Sequence, residues 1–176
     1  PYRKQGIVGR ITYNYNDKYF AEFNAAYNGS ENFIKGKRMG FFPAISCGWI
    51  ASEEQFMKFL KPLDLLKFRF SYGLVGNDDI GARFLYMSKW VTNWPGYAFG
   101  PTGNGLSLGG AGVSATGNKD LTWEKAKKLN LGMDVDLWNN LIHMTADVFF
   151  ERRKDILCNP QTIPTTAGVY ALPQIN

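Results

Sequence analysis

The sequence has few of the residues from which metal sites and catalytic centres are usually built. It contains one histidine, His143, and two cysteines, Cys47 and Cys158, which lie far apart in the chain. No CxxC pair and no cluster of cysteine and histidine occurs, so a structural zinc site is not expected. Two cysteines are enough for one disulfide, but their spacing gives no indication of a bond. No serine or cysteine is recognisably paired with His143, so the sequence supports neither an enzyme nor a cofactor.

Acidic and glycine-rich motifs are present, but none has the spacing of a known binding loop. Asn77, Asp78 and Asp79 group oxygen-bearing side chains without the spacing of a calcium loop, so a polar turn is the default interpretation. The stretch GPTGNGLSLGGAGVSATGN (100–118) lacks the GK[ST] end of a phosphate loop and has no strand–helix frame. The sequence therefore predicts no bound metal and no nucleotide site.

Long apolar runs and dense charge are also missing. No apolar run reaches about 18 residues, the length at which a transmembrane helix is expected. The opening residues, PYRKQG, are polar and are not followed by the apolar segment of a signal peptide. Lysine and arginine number 20 and acidic residues 15, a formal net charge of +5. Because no basic run or basic helix concentrates that charge, a nucleic-acid partner is not expected.

What the sequence does contain is alternation of apolar and polar residues with a period of two, which predicts β-strands. In the hairpin around Asn16-Asp17 the alternation gives one apolar and one polar face. The same pattern, with sharper contrast, flanks Asn139-Asn140. Hairpin-linked strands are antiparallel, so we predict an all-β fold of about six antiparallel strands. The predicted strands are 6–15, 19–27, 38–50, 66–75, 129–137 and 142–151.

The connections between these strands are of two kinds. Asn16-Asp17 and Asn139-Asn140 are compact, and ASEEQFMKFLKPLD (51–64) predicts one short helix in a turn, begun at Ser52 and ended by Pro62. In that helix Phe56, Phe59 and Leu60 would share a face. The segments 29–37 and 76–122 are long, and 83–91 is the site of a predicted short strand within the second. We therefore expect the compact turns at one end of the sheet and the long loops at the other.

Short turns at one end, long loops at the other and strands with one apolar face are typical of a transmembrane β-barrel. In a barrel the apolar rows face lipid and the polar rows face a watery lumen. Tyr13, Tyr15 and Tyr19 would form an aromatic girdle at the short-turn end, and Trp123 would lie at the opposite rim. The reverse facing would put aspartates into lipid, where a charge at the midplane costs up to about 2–4 kcal/mol.

A soluble or surface β-sandwich that binds glycan through loop aromatics is the alternative, because its strands also alternate. It differs in two respects, since sandwich loops rarely segregate so strongly by length and need no tyrosines beside the turns. About eight strands is the minimum for a membrane barrel. The barrel interpretation therefore predicts that the chain is part of a longer one, with residues 1–176 forming a fragment of a single barrel domain.

Two groups of side chains are candidates for contact with ligand. The first group comprises the polar residues expected to face the lumen: Glu22, Asn24, Asn130, Asp134, Asp136, His143 and Asp147. The second comprises aromatic residues of the long loop 76–122, expected to be extracellular and to contact ligand or a partner: Trp90, Trp94, Tyr97 and Phe99. No catalytic and no metal-binding residue is proposed.

Several segments resemble consecutive parts of the SusC/RagA family of TonB-dependent outer-membrane transporters. These are GRITYNYNDKYFAEFNAAYNGSENF, GKRMGFFPAISCGWIASEEQFM, LKFRFSYGLVGNDDIG and LTWEKAKKLNLGMDVDLWNN. They occur in the right order and cover nearly the whole chain. The most specific pieces are Gly-Phe-Phe-Pro at 40–43, Ser-Tyr-Gly at 71–73 and Leu-Thr-Trp-Glu at 121–124.

The resemblance implies a multi-pass barrel of the bacterial outer membrane, with 22 strands and an N-terminal plug. It implies import of oligosaccharides or peptides, a SusD-like lipoprotein as lid, and energy supplied through the TonB complex. No plug domain, no TonB box and no terminal strand ending in an aromatic residue is recognisable in this sequence. The chain is therefore expected to be an internal piece of the C-terminal half of such a barrel, in contact with outer-membrane lipid.

Overall fold

The structure, a computed structural model, describes residues 3–59, 62–99, 106–158 and 172–176. These residues form eight strands. The strands are β1 (Lys4–Tyr15), β2 (Tyr19–Ser30), β3 (Met39–Ile50), β4 (Leu63–Asn77), β5 (Lys89–Phe99), β6 (Leu106–Ala115), β7 (Glu124–Leu137) and β8 (Ile142–Lys154). Among the described residues, no helix is long and apolar enough to span a membrane.

Six strands form one antiparallel sheet in the order β1-β2-β3-β4-β7-β8, which confirms the predicted all-β fold. β5 and β6 pair only with each other and form a separate two-stranded ribbon. This ribbon lies within the segment predicted as the long loop 76–122. The short strand predicted at 83–91 is displaced, because residues 84–87 form a turn and β5 begins at Lys89.

The helix predicted in the turn between β3 and β4 is much shorter than expected. It is a single 3₁₀ turn, Ala51–Glu53, and Ser52 does not cap it. Phe56 and Phe59, which were to share its apolar face, are 59% and 75% exposed. A helix of this length depends on burying an apolar face, and this one has nothing to pack against. The segment continues instead as turns as far as residue 59, and Leu60, the third residue of the predicted face, lies outside the described residues.

The hairpin turns use residues that tolerate left-handed backbone. Asn16 and Asp17 have φ of 51° and 53°, and Asn139 and Asn140 have φ of 55° and 62°. Positive φ at successive residues suits tight hairpin turns, and asparagine and aspartate accept it better than most side chains. These turns and residues 51–59 lie at one end of the sheet, while the connection 31–38 and the described parts of 78–123 lie at the other. The predicted segregation of short and long connections is confirmed.

The register gives the sheet two chemically different faces. One row of the apolar face crosses all six strands through Tyr13, Ala21, Cys47, Phe70, Leu131 and Val148. Large side chains on this face are open to their surroundings, with Ile11 69% and Val148 54% exposed. In the part of the chain that the structure describes, no second sheet covers this face. The described residues therefore do not form the two packed sheets of the sandwich alternative.

A small buried cluster lies at the long-loop end. Phe33, Phe42, Ile80, Leu121 and Trp123 form it, drawn from β3 and from the connections beside it. The Trp123 ring lies 5.3 Å from the Phe33 ring and 5.2 Å from the Phe42 ring, and its Nε1 donates to the Arg38 carbonyl at 3.1 Å. Trp123 is thus at the predicted end but is only 6% exposed. It anchors the loops and does not belong to an aromatic girdle.

Candidate functional site

The seven polar candidates all lie on the face opposite the apolar rows. Glu22 is paired with Ser46, Ser46 with Ser71, and Ser71 with Asn130, so these residues form one row across four strands. His143 is paired with Asp136, and Asp147 with Gly132. Asn24 and Asp134 lie an even number of residues from these positions in their strands, so their side chains are on the same face. The members of this polar face predicted from the sequence are Glu22, Asn24, Asn130, Asp134, Asp136, His143 and Asp147.

Arg69 is the centre of the charge network on the polar face. Its Nε and Nη2 donate to the two carboxylate oxygens of Asp134 at 2.8 and 3.0 Å, and Nη2 reaches Asp147 at 3.3 Å. Two parallel bonds of this kind are the strong form of an arginine–carboxylate pair. A Cβ at Gly132 would lie 2.6 Å from the Asp147 Oδ1 and 2.9 Å from the Arg69 guanidinium carbon. An added Cβ would therefore displace the ends of two flexible side chains, those of Asp147 and Arg69.

The network extends along the sheet from Arg69 in both directions. Thr145 Oγ1 lies 3.2 Å from Asp134 and 3.3 Å from the His143 ring nitrogen Nε2, and His143 Nδ1 pairs with Asp136. On the other side Asn130 donates to Asp147 at 3.4 Å. Five of the seven candidates are thus held in one continuous hydrogen-bonded chain.

The other two candidates form a separate group on β2. Asn24 donates to Glu22 at 2.6 Å, and Arg10 on β1 donates to the second oxygen of Glu22 at 2.6 Å. Between this group and Arg69 the polar face is concave, with a cavity volume of 520 Å³. Small residues, among them Ser46 and Gly48, lie in its floor. The lining offers both donors and acceptors, which suits a hydrated polar solute.

The candidates predicted from the sequence did not include Arg10, Lys67, Arg69 and Thr145, although the alternation places all four in the polar rows. The signal was present for Lys67 and Arg69, because they alternate with Phe68 and Phe70 in β4. Pairing them with particular aspartates requires the register between β4 and β7, which alternation does not specify. Phe20 is also on this face, with the Lys67 ammonium 5.9 Å from its ring centroid.

On the opposite face, aromatic side chains line the short-turn end as predicted. Tyr15, Tyr19, Trp49 and Phe68 form one row across four strands, and Trp49 stacks on Phe68 with ring centroids 5.9 Å apart. The Tyr19 hydroxyl donates to Glu54 in the next turn at 2.7 Å. This bond, aided by Lys18, lowers the pKa of Glu54 below its ordinary value. At the short-turn end of the strands, the aromatic row is therefore linked to polar groups of the turn, through the Tyr19 hydroxyl and Glu54.

The loop aromatics do not form one cluster. Trp90 is 69% exposed, whereas the Trp94 ring lies over Gly112, where a Cβ would come within 2.4 Å of it. Tyr97 and Phe99 fall in β5, and their side chains lie outside the described part of the structure. Of the two tryptophans, Trp90 has the more accessible ring.

The acidic motif has a local structural role, and the two thiols are not joined in a disulfide. Asp78 is buried and forms an ion pair with Lys4 at 2.7 Å, so the motif at 77–79 ties a loop to β1. Cys47 and Cys158 are both free and exposed. Within the described ranges, no group of three or more side chains is arranged to hold a metal ion.

No protein-family model matches the chain. Among curated proteins, the TonB-dependent receptor SusC of Bacteroides thetaiotaomicron is 34% identical over 165 residues, 93% of this chain and 16% of that receptor. TonB-dependent receptor P39 of Formosa agariphila is 35% identical over 162 residues, 92% of this chain and 14% of that receptor. TonB-dependent receptor P3 of the same organism is 31% identical over 163 residues, which are 93% of this chain and 16% of that receptor. The chain therefore spans 14–16% of the length of these relatives.

Among solved structures, a chain of the RagAB peptide importer in its closed-closed state matches with a TM-score of 0.81 at 21% identity. The match covers 99% of this chain and 18% of that chain. The open-open state of the same importer gives a TM-score of 0.80 with the same coverage. At this level of identity the likeness establishes the fold alone.

The two-faced antiparallel sheet and its matches define the chain as a segment of a transmembrane β-barrel of the bacterial outer membrane. Its sequence relatives are all TonB-dependent receptors, and they match it over nearly its whole length. The chain is SusC/RagA-like, as its motifs predicted.

Proposed function

We propose that the chain forms part of the barrel wall of a TonB-dependent importer that takes up nutrients across the outer membrane. In this arrangement the polar face lines the lumen and the apolar face contacts lipid. The observation that carries the proposal is the opposition of the two faces. Arg69, Asp134 and Asp147 form one charged network on one face, while Ile11 and Val148 on the other are more than half exposed.

The nutrient we propose is an oligosaccharide or a peptide. The resemblance of the sequence motifs to SusC/RagA transporters implies one or the other class. A SusD-like lipoprotein would act as lid and the TonB complex would supply energy through parts of the protein outside this chain. The mixed donors and acceptors of the polar face suit either hydrated solute.

The long connection that contains β5 and β6 is proposed to be extracellular. Its aromatic residues Trp90, Trp94, Tyr97 and Phe99 would contact ligand or the lipoprotein, with Trp90 offering the most accessible ring of those described. Protease added to intact cells should cut within 76–122. An intact loop in folded, correctly inserted receptor would contradict this orientation.

Neighbouring residues on opposite faces of β3 provide the test of the barrel-wall proposal. In the full-length receptor with Cys47 and Cys158 replaced by alanine, Ser46→Cys should react with a water-soluble maleimide. The matched control restores Cys47 alone, and its thiol should be shielded by lipid until detergent is added. Equal labelling of both positions in intact membranes would contradict the assignment of the faces.

Import itself is tested by uptake and by co-purification. Cells that lack the receptor should lose uptake of one labelled class, oligosaccharide or peptide, and regain it with the wild-type gene. A lipoprotein should co-purify with the receptor from outer membranes. Unchanged uptake of both classes in the deletion strain would count against the import proposal.

A further inference from the structure

The three short turns of the sheet are joined into one continuous rim. We call residues 16–18, 51–59 and 138–141 the short-turn rim. Ile50 donates its backbone N–H to the Lys18 carbonyl at 2.8 Å, and the Lys18 ammonium lies 3.8 Å from Glu54. Trp138 donates to the Pro62 carbonyl at 2.9 Å. These bonds fix the rim as a surface of defined position.

This rim displays large apolar side chains that are more than half exposed among the described residues. Phe56 and Phe59 in the middle turn are 59% and 75% exposed, and Leu141 is 79% exposed. The middle turn joins β3 and β4, which are each the third strand from an edge of the sheet. A strand added beyond β1 would lie about 14 Å from β3, given strand spacings of about 4.8 Å. Further strands of the wall therefore do not cover Phe56 and Phe59.

The middle turn lies at the level where the apolar span ends. On β3 the apolar-face positions run from Phe41 to Trp49, which matches the about 9–11 residues that a strand needs to cross the hydrocarbon. The 3₁₀ turn begins directly after Ile50. The turn is also tied to the aromatic row, because Tyr19 of that row donates to Glu54. The middle turn therefore adjoins the aromatic row at the end of the apolar face.

We propose that the turn 51–59 rests in the phospholipid headgroup layer on the short-turn side of the membrane. Phe56 and Phe59 enter the boundary with the acyl chains, and Lys58, which is exposed between them, meets the lipid phosphates. Aromatic rings beside a cationic side chain suit this layer because each combines an apolar body with affinity for polar headgroups. The inference depends on the proposed facing of the barrel wall.

The test uses the photo-crosslinking amino acid p-benzoylphenylalanine in the full-length receptor, in cells whose phospholipids carry ³²P. The residue is placed at Phe59 and, in a second variant, at Phe56. Gln55, an exposed polar residue of the same turn, is the matched control. After irradiation we expect ³²P on the receptor band to be several-fold higher at Phe59 or Phe56 than at Gln55. Heat-modifiable migration on gels selects for folded receptor.

Adducts with polypeptide, or ³²P no higher than at Gln55 in both variants, would overturn the inference. A variant at Ile45, in the middle of the apolar face, separates the two proposals. Lipid adducts at Ile45 without adducts at the turn would overturn only the headgroup contact. Absence of lipid adducts at Ile45 as well would overturn the barrel-wall proposal with it.

Discussion

At the scale of single residues, the charge network of the polar face lies directly over one glycine. Gly132 leaves the space in which the Arg69 guanidinium meets Asp134 and Asp147. Each partner is partly solvated, and exposed ion pairs contribute less than buried ones. The network therefore acts chiefly to position side chains, and its loss should be visible more in local structure than in global stability.

Gly132→Ala should displace the Arg69 side chain but lower the stability of the full-length receptor by no more than about 1 kcal/mol, because the ion pairs are partly exposed and the displaced side chains are flexible. Gly9→Ala is the control, because no atom lies within 4 Å of its added Cβ. Equilibrium unfolding of the receptor in detergent measures the stability change caused by each of the two substitutions. Equal effects of the two substitutions would contradict the role of Gly132.

Glu54 should make the stability of the receptor depend on pH. Its pKa is lowered in the folded state, chiefly by the Tyr19 hydroxyl bond. A lowered folded-state pKa stabilises the protein above the unfolded pKa, and this contribution is lost as the pH falls through the folded value. Glu54→Gln should therefore be less stable than wild type at neutral pH and should match it below the folded pKa. Unfolding titrations at a series of pH values test this, and a constant difference across the series would refute it.

At the scale of elements, the loops at one end of the sheet are held by the cluster around Trp123. Phe33 and Leu121 are almost fully buried in it, although they belong to connections and not to strands. A buried apolar anchor fixes a loop more firmly than hydrogen bonds to solvent-exposed groups. The connections at this end are thus long and yet partly ordered.

Trp123→Ala should loosen these connections. Truncation of a buried tryptophan costs about 3–5 kcal/mol. Here the loss would fall on the packing of the loops and not on the strand pairing. Limited proteolysis of the receptor in membranes should show faster cleavage within 31–38 and 78–88. Trp90→Ala removes the same side chain from an exposed site and should leave the cleavage rate unchanged. The cluster would have no anchoring role if the two variants behaved alike.

The strands and their facing were predictable from sequence because a period of two is local and repeated in every strand. Other features depend on contacts that the sequence pattern does not contain. From the sequence alone, Trp123 resembles a tryptophan of an aromatic girdle, because its buried neighbours are not known. The Arg69–Asp134 pair joins two strands, β4 and β7, that the long connection separates in the sequence. The β5–β6 ribbon has register shifts and a glycine-rich strand, so its alternation is broken. The 51–64 segment has a helical pattern but no surface to bury it.

At the scale of the whole molecule, the two faces of the sheet suit different solvents. The apolar face has no cover in the described chain and the polar face is already hydrogen-bonded to itself. A charge should therefore be tolerated on one face and not on the other.

Ile45→Arg in the full-length receptor should cost about 2–4 kcal/mol, the penalty for arginine near the midplane of a barrel's lipid face. Ser46→Arg, one residue along β3, should cost much less because it enters the polar face. Folded receptor in the outer membrane, measured by heat-modifiable migration and by unfolding in lipid vesicles, should fall for the first variant only. Similar losses at both positions would contradict the division of the faces.

The strand order also has a consequence for the time course of assembly. β7 pairs with β4 across the whole of residues 78–123, whereas β8 follows β7 after a turn of a few residues. Two strands joined by a short loop meet faster than two joined by a long one, because less chain entropy is lost. Each doubling of the length of a connecting loop adds about 0.6 kcal/mol to the free energy of closing it. We expect the β7–β8 hairpin to form early and the seam between β4 and β7 to close late. A chaperone or insertase that binds the barrel during assembly would therefore encounter two preformed parts, β1–β4 and β7–β8. The long loop between these parts would not yet be closed.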